Sequence, residues 1–130
     1  MGDHEPDEME YDVYSRSCPS RPTLEHVTGR WGTLALGALE TGPLRFNALL
    51  RRVDGISQKM LAQTLLALER DGFVNRENRS TTGLHVEYEL TPLGRETAAQ
   101  LSVLIGLLES RMPDVLEAQR RYDQSAGLSR

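Results

Sequence analysis

The chain has 130 residues, 38% of them hydrophobic and 26% charged, with a net charge of −4. That length suffices for one domain with an ordinary core and is too short for two large ones. No apolar run is long enough to cross a membrane, and the acidic N-terminus lacks the apolar centre of a signal peptide, so the expected compartment is the cytoplasm. A single cysteine, Cys18, excludes an intrachain disulfide and leaves only an intermolecular one.

The acidity is concentrated at one end. Residues 1–20 carry six acids against Arg16 alone, whereas residues 45–95 hold eight Lys/Arg and six Asp/Glu, a net of +2. A mildly basic centre permits a nucleic-acid partner without requiring one.

Residues 1–16 are polar, acidic and aperiodic, and are expected to form a disordered arm ahead of a domain spanning 17–123 and a polar tail at 124–130. Pro19 and Pro22 bracket a helix start, since proline fits the first helical turn, and the helix through Leu24 and Val27 should stop near Gly29. Trp31, Leu34, Ala35, Leu36, Ala38 and Leu39 make a second, almost wholly apolar helix suited to the centre of a small bundle, with Trp31 as core. After the Thr41-Gly42-Pro43 turn, Arg45 to Arg52 forms a short helix with Phe46, Leu49 and Leu50 inward and Arg45, Asn47, Arg51 and Arg52 outward.

The turn Val53-Asp54-Gly55 leads into the best-defined helix of the chain. Ser57 is its N-cap and Gly72 its stop. Leu61, Leu65 and Leu68 form one stripe, while Lys59, Gln63 and Arg70 project from the opposite side beside Ala62 and Leu66. A polar face of this kind is ordinarily just solvated, but two helices joined by a tight turn outline a helix-turn-helix. Beyond Gly72 the period changes to alternation. Phe73–Glu77 and His85–Leu90 read as strands around the loop Asn78–Leu84, a hairpin placed as a wing. Thr91-Pro92 then starts a helix carrying Leu93, Leu101, Leu104, Ile105, Leu107 and Leu108, which Pro113 should kink or end after Met112. A last amphipathic piece runs from Asp114 to about Asp123. The fold class is therefore mainly α with a small β-hairpin.

Cys18-Pro19, Gly29-Arg30-Trp31, Gly42-Pro43-Leu44-Arg45-Phe46, the run Gly55 to Leu61, Leu68-Glu69, Asp71-Gly72 and Val86 to Thr91 resemble, in unbroken order, the HxlR family of bacterial winged helix-turn-helix transcriptional regulators. The resemblance implies homodimers built on terminal helices, a recognition helix in the major groove of double-stranded DNA, and wings reaching the minor groove or backbone. A palindromic operator and a repressor role follow from it as expectations. The chain departs from the family at Leu66 and Ala67, where relatives often carry polar side chains, and at a Ser-Thr-Thr-Gly wing tip where many carry prolines. Several members with a lone N-terminal cysteine followed by proline use it as a thiol switch.

These expectations name the site residues. Gln58 and Gln63 suit bidentate pairing with adenine, and Lys59 suits guanine or a phosphate. Ser57 and the free N–H groups of the first turn suit a phosphate oxygen, besides capping the helix. Arg45 and Asn47 are candidates for phosphate positioning, Arg51 and Arg52 less firmly. Arg76, Arg79 and His85 line the wing, where an arginine can read a narrow minor groove. Cys18, beside a helix start and the cations Arg16 and Arg21, is expected to have a lowered pKa and to sense oxidants or electrophiles; the alternative is an inert structural thiol.

Three rivals stand beside this reading. One is a regulator of the same fold governed by a small ligand held between the wing and the dimer helices. Another is a winged-helix module used for protein contact, which Leu66 alone favours. An enzyme with Cys18 as nucleophile lacks activating partners. His4, His26 and His85 have no metal-ligand spacing, and no phosphate-binding glycine loop is present, so neither a metal nor a cofactor is expected.

Overall fold

The computed structural model describes residues 10–128. Most of the expected acidic arm, His4 included, and the last two residues of the expected tail lie outside the described residues. Residues 12–18 form successive turns, with Ser15 N–H donating to the Asp12 carbonyl and Cys18 N–H to that of Ser15.

Five helices and one hairpin follow: α1 (Ser20–Thr28), α2 (Arg30–Ala38), a 3-10 turn (Leu39–Thr41), α3 (Phe46–Arg52), α4 (Gln58–Arg70), β1 (Val74–Asn78), β2 (Val86–Leu90) and α5 (Pro92–Leu128). The corner between α1 and α2 is tight. A Cβ on Gly32 would lie 1.8 Å from the His26 carbonyl oxygen, so only glycine allows the approach. Thr33 reinforces the corner by donating its hydroxyl to the Val27 carbonyl at 2.6 Å, which occupies one of the acceptors left free at the end of α1.

Local signals place α4 as expected. The Ser57 hydroxyl accepts the Met60 N–H at 3.0 Å, and Gly72 takes φ 86°, a left-handed conformation that closes the helix. Leu61, Leu65 and Leu68 are fully buried beneath it, against Leu36, Leu39 and Leu49. Each such leucine contributes roughly 1.5–3 kcal/mol by leaving water, which holds α4 rigidly to the bundle.

The strands pair antiparallel with Val74 opposite Leu90 and Asn78 opposite Val86. Leu44 adds a third short segment. Its N–H and carbonyl exchange hydrogen bonds with Tyr88 at 2.9 and 2.8 Å, which ties the start of the helix-turn-helix to the hairpin. Thr91 caps α5 by accepting the Gly94 N–H at 2.9 Å while its hydroxyl donates to the Gly72 carbonyl at 2.6 Å.

Two expectations fail. The helix does not end at Pro113: α5 is one helix of 37 residues with Pro113 inside it, and it runs past Asp123 to Leu128. Proline removes the N–H that the Glu109 carbonyl would accept, but both residues are exposed, where water can take the place of that donor. The second concerns burial. Leu34, on the helix expected at the centre of the bundle, is exposed; on α5, for which no burial was expected, Leu93, Leu104, Leu107 and Leu108 are exposed too, and among the described residues Gly94, Ala98 and Leu101 are the buried ones.

Candidate nucleic-acid interface

The outward face of α4 follows from its inward one. With Leu61, Leu65 and Leu68 facing the core, the 3.6-residue period turns Lys59, Ala62, Gln63, Leu66 and Arg70 to solvent, while Gln58, on the leucine side, is exposed because it begins the helix. Ser57 stands at the head of this face with its hydroxyl engaged as the cap.

Arg45 is the N-cap residue of α3, and Asn47 and Arg51 lie on that helix's exposed side. They line an open cleft of about 590 Å3 whose other wall is Leu84, Val86 and Glu87 at the loop end of the hairpin. The fold thus brings together the phosphate-positioning candidates and the wing, which are some 40 residues apart in sequence. Arg45, Arg51, Arg52, Lys59 and Arg76 make no ion pair among the described residues. Their charges are free for an external anion.

The other wing candidates are engaged. The Arg79 guanidinium pairs with Glu87 at 3.4 Å and in closer contact with Glu89, and His85 Nε2 lies 3.0 Å from a Glu87 carboxylate oxygen. Asn78 organises the loop above them: its side-chain oxygen accepts the N–H groups of Ser80 and His85, both at 3.1 Å. Nothing in the spacing of Asn78 singled it out.

Arg30 was also missed. Its guanidinium stacks 4.6 Å from the centre of the Trp31 ring. It lines a groove of about 260 Å3 between the α1–α2 corner and α4, together with Met60, Gln63 and Thr64. A cation immediately before an aromatic residue was the available signal. Trp31 itself is half-buried and packs on the core edge.

Cys18 is half-buried at the entry to α1. Its Sγ accepts the Asp12 N–H at 3.2 Å and lies 3.1 Å from the Ser20 hydroxyl. The Ser20 hydroxyl, then the N–H groups of Ser20 and Asp12, hold the thiol pKa below its ordinary value, against burial and the Asp12 charge. The expected direction holds, but its cause is different. Arg21 points away, donating to the Tyr14 carbonyl at 3.3 Å and approaching Glu25 at 3.8 Å.

A family model described as HxlR-like helix-turn-helix matches residues 26–115. The chain is 48% identical over 107 residues to the HTH-type transcriptional regulator YtfH of Escherichia coli (strain K12), across 82% of this chain and 85% of YtfH. Among solved structures it is similar to the transcriptional regulator ytfH from Salmonella typhimurium, with a TM-score of 0.78, 48% identity and coverage of 86% of this chain and 99% of the other. It is also similar to the redox regulator HypR in its reduced form, with a TM-score of 0.67, 35% identity and coverage of 77% and 98%.

Proposed function

Since the chain belongs to the HxlR-like helix-turn-helix family of transcriptional regulators, we propose that it acts in the cytoplasm as a homodimeric repressor on a palindromic operator. The recognition helix is α4. Gln58, Lys59 and Gln63 read base edges in the major groove, and Ser57 with the first-turn N–H groups holds a phosphate. Arg45 and Asn47 position the adjacent backbone and Arg76 reaches it from the wing. Arg79 and His85 face DNA while clasped to Glu87 and Glu89. Two copies related by a two-fold axis would present two such helices to symmetric half-sites, and their occupancy would block access to a promoter.

The observation that carries this reading is the pairing of a fully buried leucine stripe on α4 with an exposed face that holds the amide of Gln63 and the unpaired cation Lys59. Selection of duplexes from a randomised pool, followed by mobility shift, tests it. Lys59→Ala with Gln63→Ala should abolish the shift; undiminished binding overturns the assignment.

The geometry at Cys18 supports a thiol switch. A thiol held toward its thiolate by three hydrogen-bond donors is a better nucleophile at neutral pH than an ordinary one, and the similar HypR is a redox regulator. Cys18 lies ahead of the family match at residues 26–115, so this reading rests on the local geometry and on HypR. In the dimer, two Cys18 thiols would give two electrons and two protons to an oxidant such as diamide and form an intersubunit S–S bond.

A further inference from the structure

We propose that Leu66 reads the 5-methyl group of a thymine in the major groove and so sets specificity at one base of each half-site. This rests on α4 being the recognition helix. Leu66 is 67% exposed, the most exposed large apolar residue of that helix. It lies seven residues after Lys59, three after Gln63 and four before Arg70, which places it on their face of the helix and away from Leu61, Leu65 and Leu68. Its exposed apolar neighbour Ala62 adds only a methyl group. The result is a leucine-sized apolar spot ringed by two cations and an amide.

Such a spot is too small for a protein partner, because a stable interface covers about 800 Å2 on each side and its centre is depleted of charge. The cations around it match a polyanion. Within the major groove, the edges of the bases offer hydrogen-bond donors and acceptors, which a leucine cannot pair, and one apolar group, the thymine methyl. Leucine against any other base edge would cover polar atoms without satisfying them. The contact therefore both favours thymine and penalises its replacements. Leu66 is the ninth residue of α4, past the N-terminal turn that reads the neighbouring bases, so the thymine belongs to a flank of the half-site.

The test uses the full chain and a duplex selected from a randomised pool. Each thymine of the selected sequence is replaced in turn by deoxyuridine, which removes the methyl alone. At one symmetric position the exchange should weaken wild-type binding roughly fourfold, the worth of one buried methyl-sized group. Leu66→Ala should lose that discrimination, binding both duplexes equally, whereas Lys59→Ala should bind more weakly overall and keep it. An equal uracil penalty in wild type and Leu66→Ala, or the absence of any methyl-sensitive position, overturns the role of Leu66 while leaving the recognition helix in place. Failure to enrich any duplex overturns both. The exposure of Leu66 spares the fold, which a thermal melt of the variant checks.

Discussion

His26 Nδ1 lies 2.6 Å from a carboxylate oxygen of Asp71, across 45 residues of sequence. Asp71 is the C-cap of α4, and His26 is in the last turn of α1, so one hydrogen bond ties the helix that follows Cys18 to the end of α4. The Asp71 side chain is only 11% exposed and has little access to water as a substitute partner. His26→Ala should therefore destabilise the fold by about 1–3 kcal/mol, the cost of stranding a desolvated acceptor, and denaturant unfolding measures it. DNA affinity should fall with it, because α4 loses an anchor at one end. Asp71→Asn keeps an acceptor and should cost less. Equal stability of His26→Ala and wild type would show that the contact carries no coupling.

The Cys18 thiol should titrate at lower pH than a thiol in the unfolded chain, because Ser20 and Asp12 donate to its sulfur. A depressed folded-state pKa adds stability that is fully present above the unfolded pKa and is lost as the pH falls through the folded one. The rate of alkylation by iodoacetamide against pH reads the midpoint directly. Ser20→Ala removes the strongest donor and should move that midpoint upward. Cys18→Ser should retain DNA binding and lose sensitivity to diamide; a variant that still responds places the sensor elsewhere.

On the wing, Arg79 faces two carboxylates that would otherwise repel a phosphate backbone. Removing it should thus cost more than one phosphate contact. A single phosphate contact contributes about 0.9 to the slope of log affinity against log salt. Arg79→Ala should reduce the slope by more than that, because Glu87 and Glu89 are unmasked, and Glu87→Gln with Glu89→Gln should recover most of the lost affinity. If the charge-neutral pair recovers nothing, Arg79 acts as a direct contact alone.

What the sequence makes legible in this chain is what neighbouring residues decide. The Ser57 cap, the Gly72 stop and the change of period into the hairpin depend on contacts within a few residues, and the structure reproduces them. The pairing of Leu44 with Tyr88, the clasp of Arg79 by Glu87 and Glu89, and the bond of His26 to Asp71 join distant segments, and periodicity carries no trace of them. Pro113 shows the converse. Its local preference is overridden by strong helix formers on both sides, at a position where water can take the lost hydrogen bond. Lys59 and Gln63 are exposed whether α4 reads DNA or merely faces water, so the role proposed for them rests on the helix before and the hairpin after them.

The leucines of α5 present the same ambiguity, since an apolar stripe looks alike whether it meets a core or a second molecule. In the described chain Leu104, Leu108, Met112 and Leu116 recur every four residues along one side of α5, and all are exposed. Burying this stripe against its copy would remove apolar surface from both chains at about 25 cal/mol per Å2, which supports a two-fold dimer on the terminal helices. Leu104→Glu with Leu108→Glu should yield a monomer in analytical ultracentrifugation with little loss of helix content, because neither side chain is part of the core. Its affinity for a single half-site should survive while that for the full operator collapses, since the second recognition helix is then no longer tethered to the first. A charged variant that remains dimeric would place the interface on another surface.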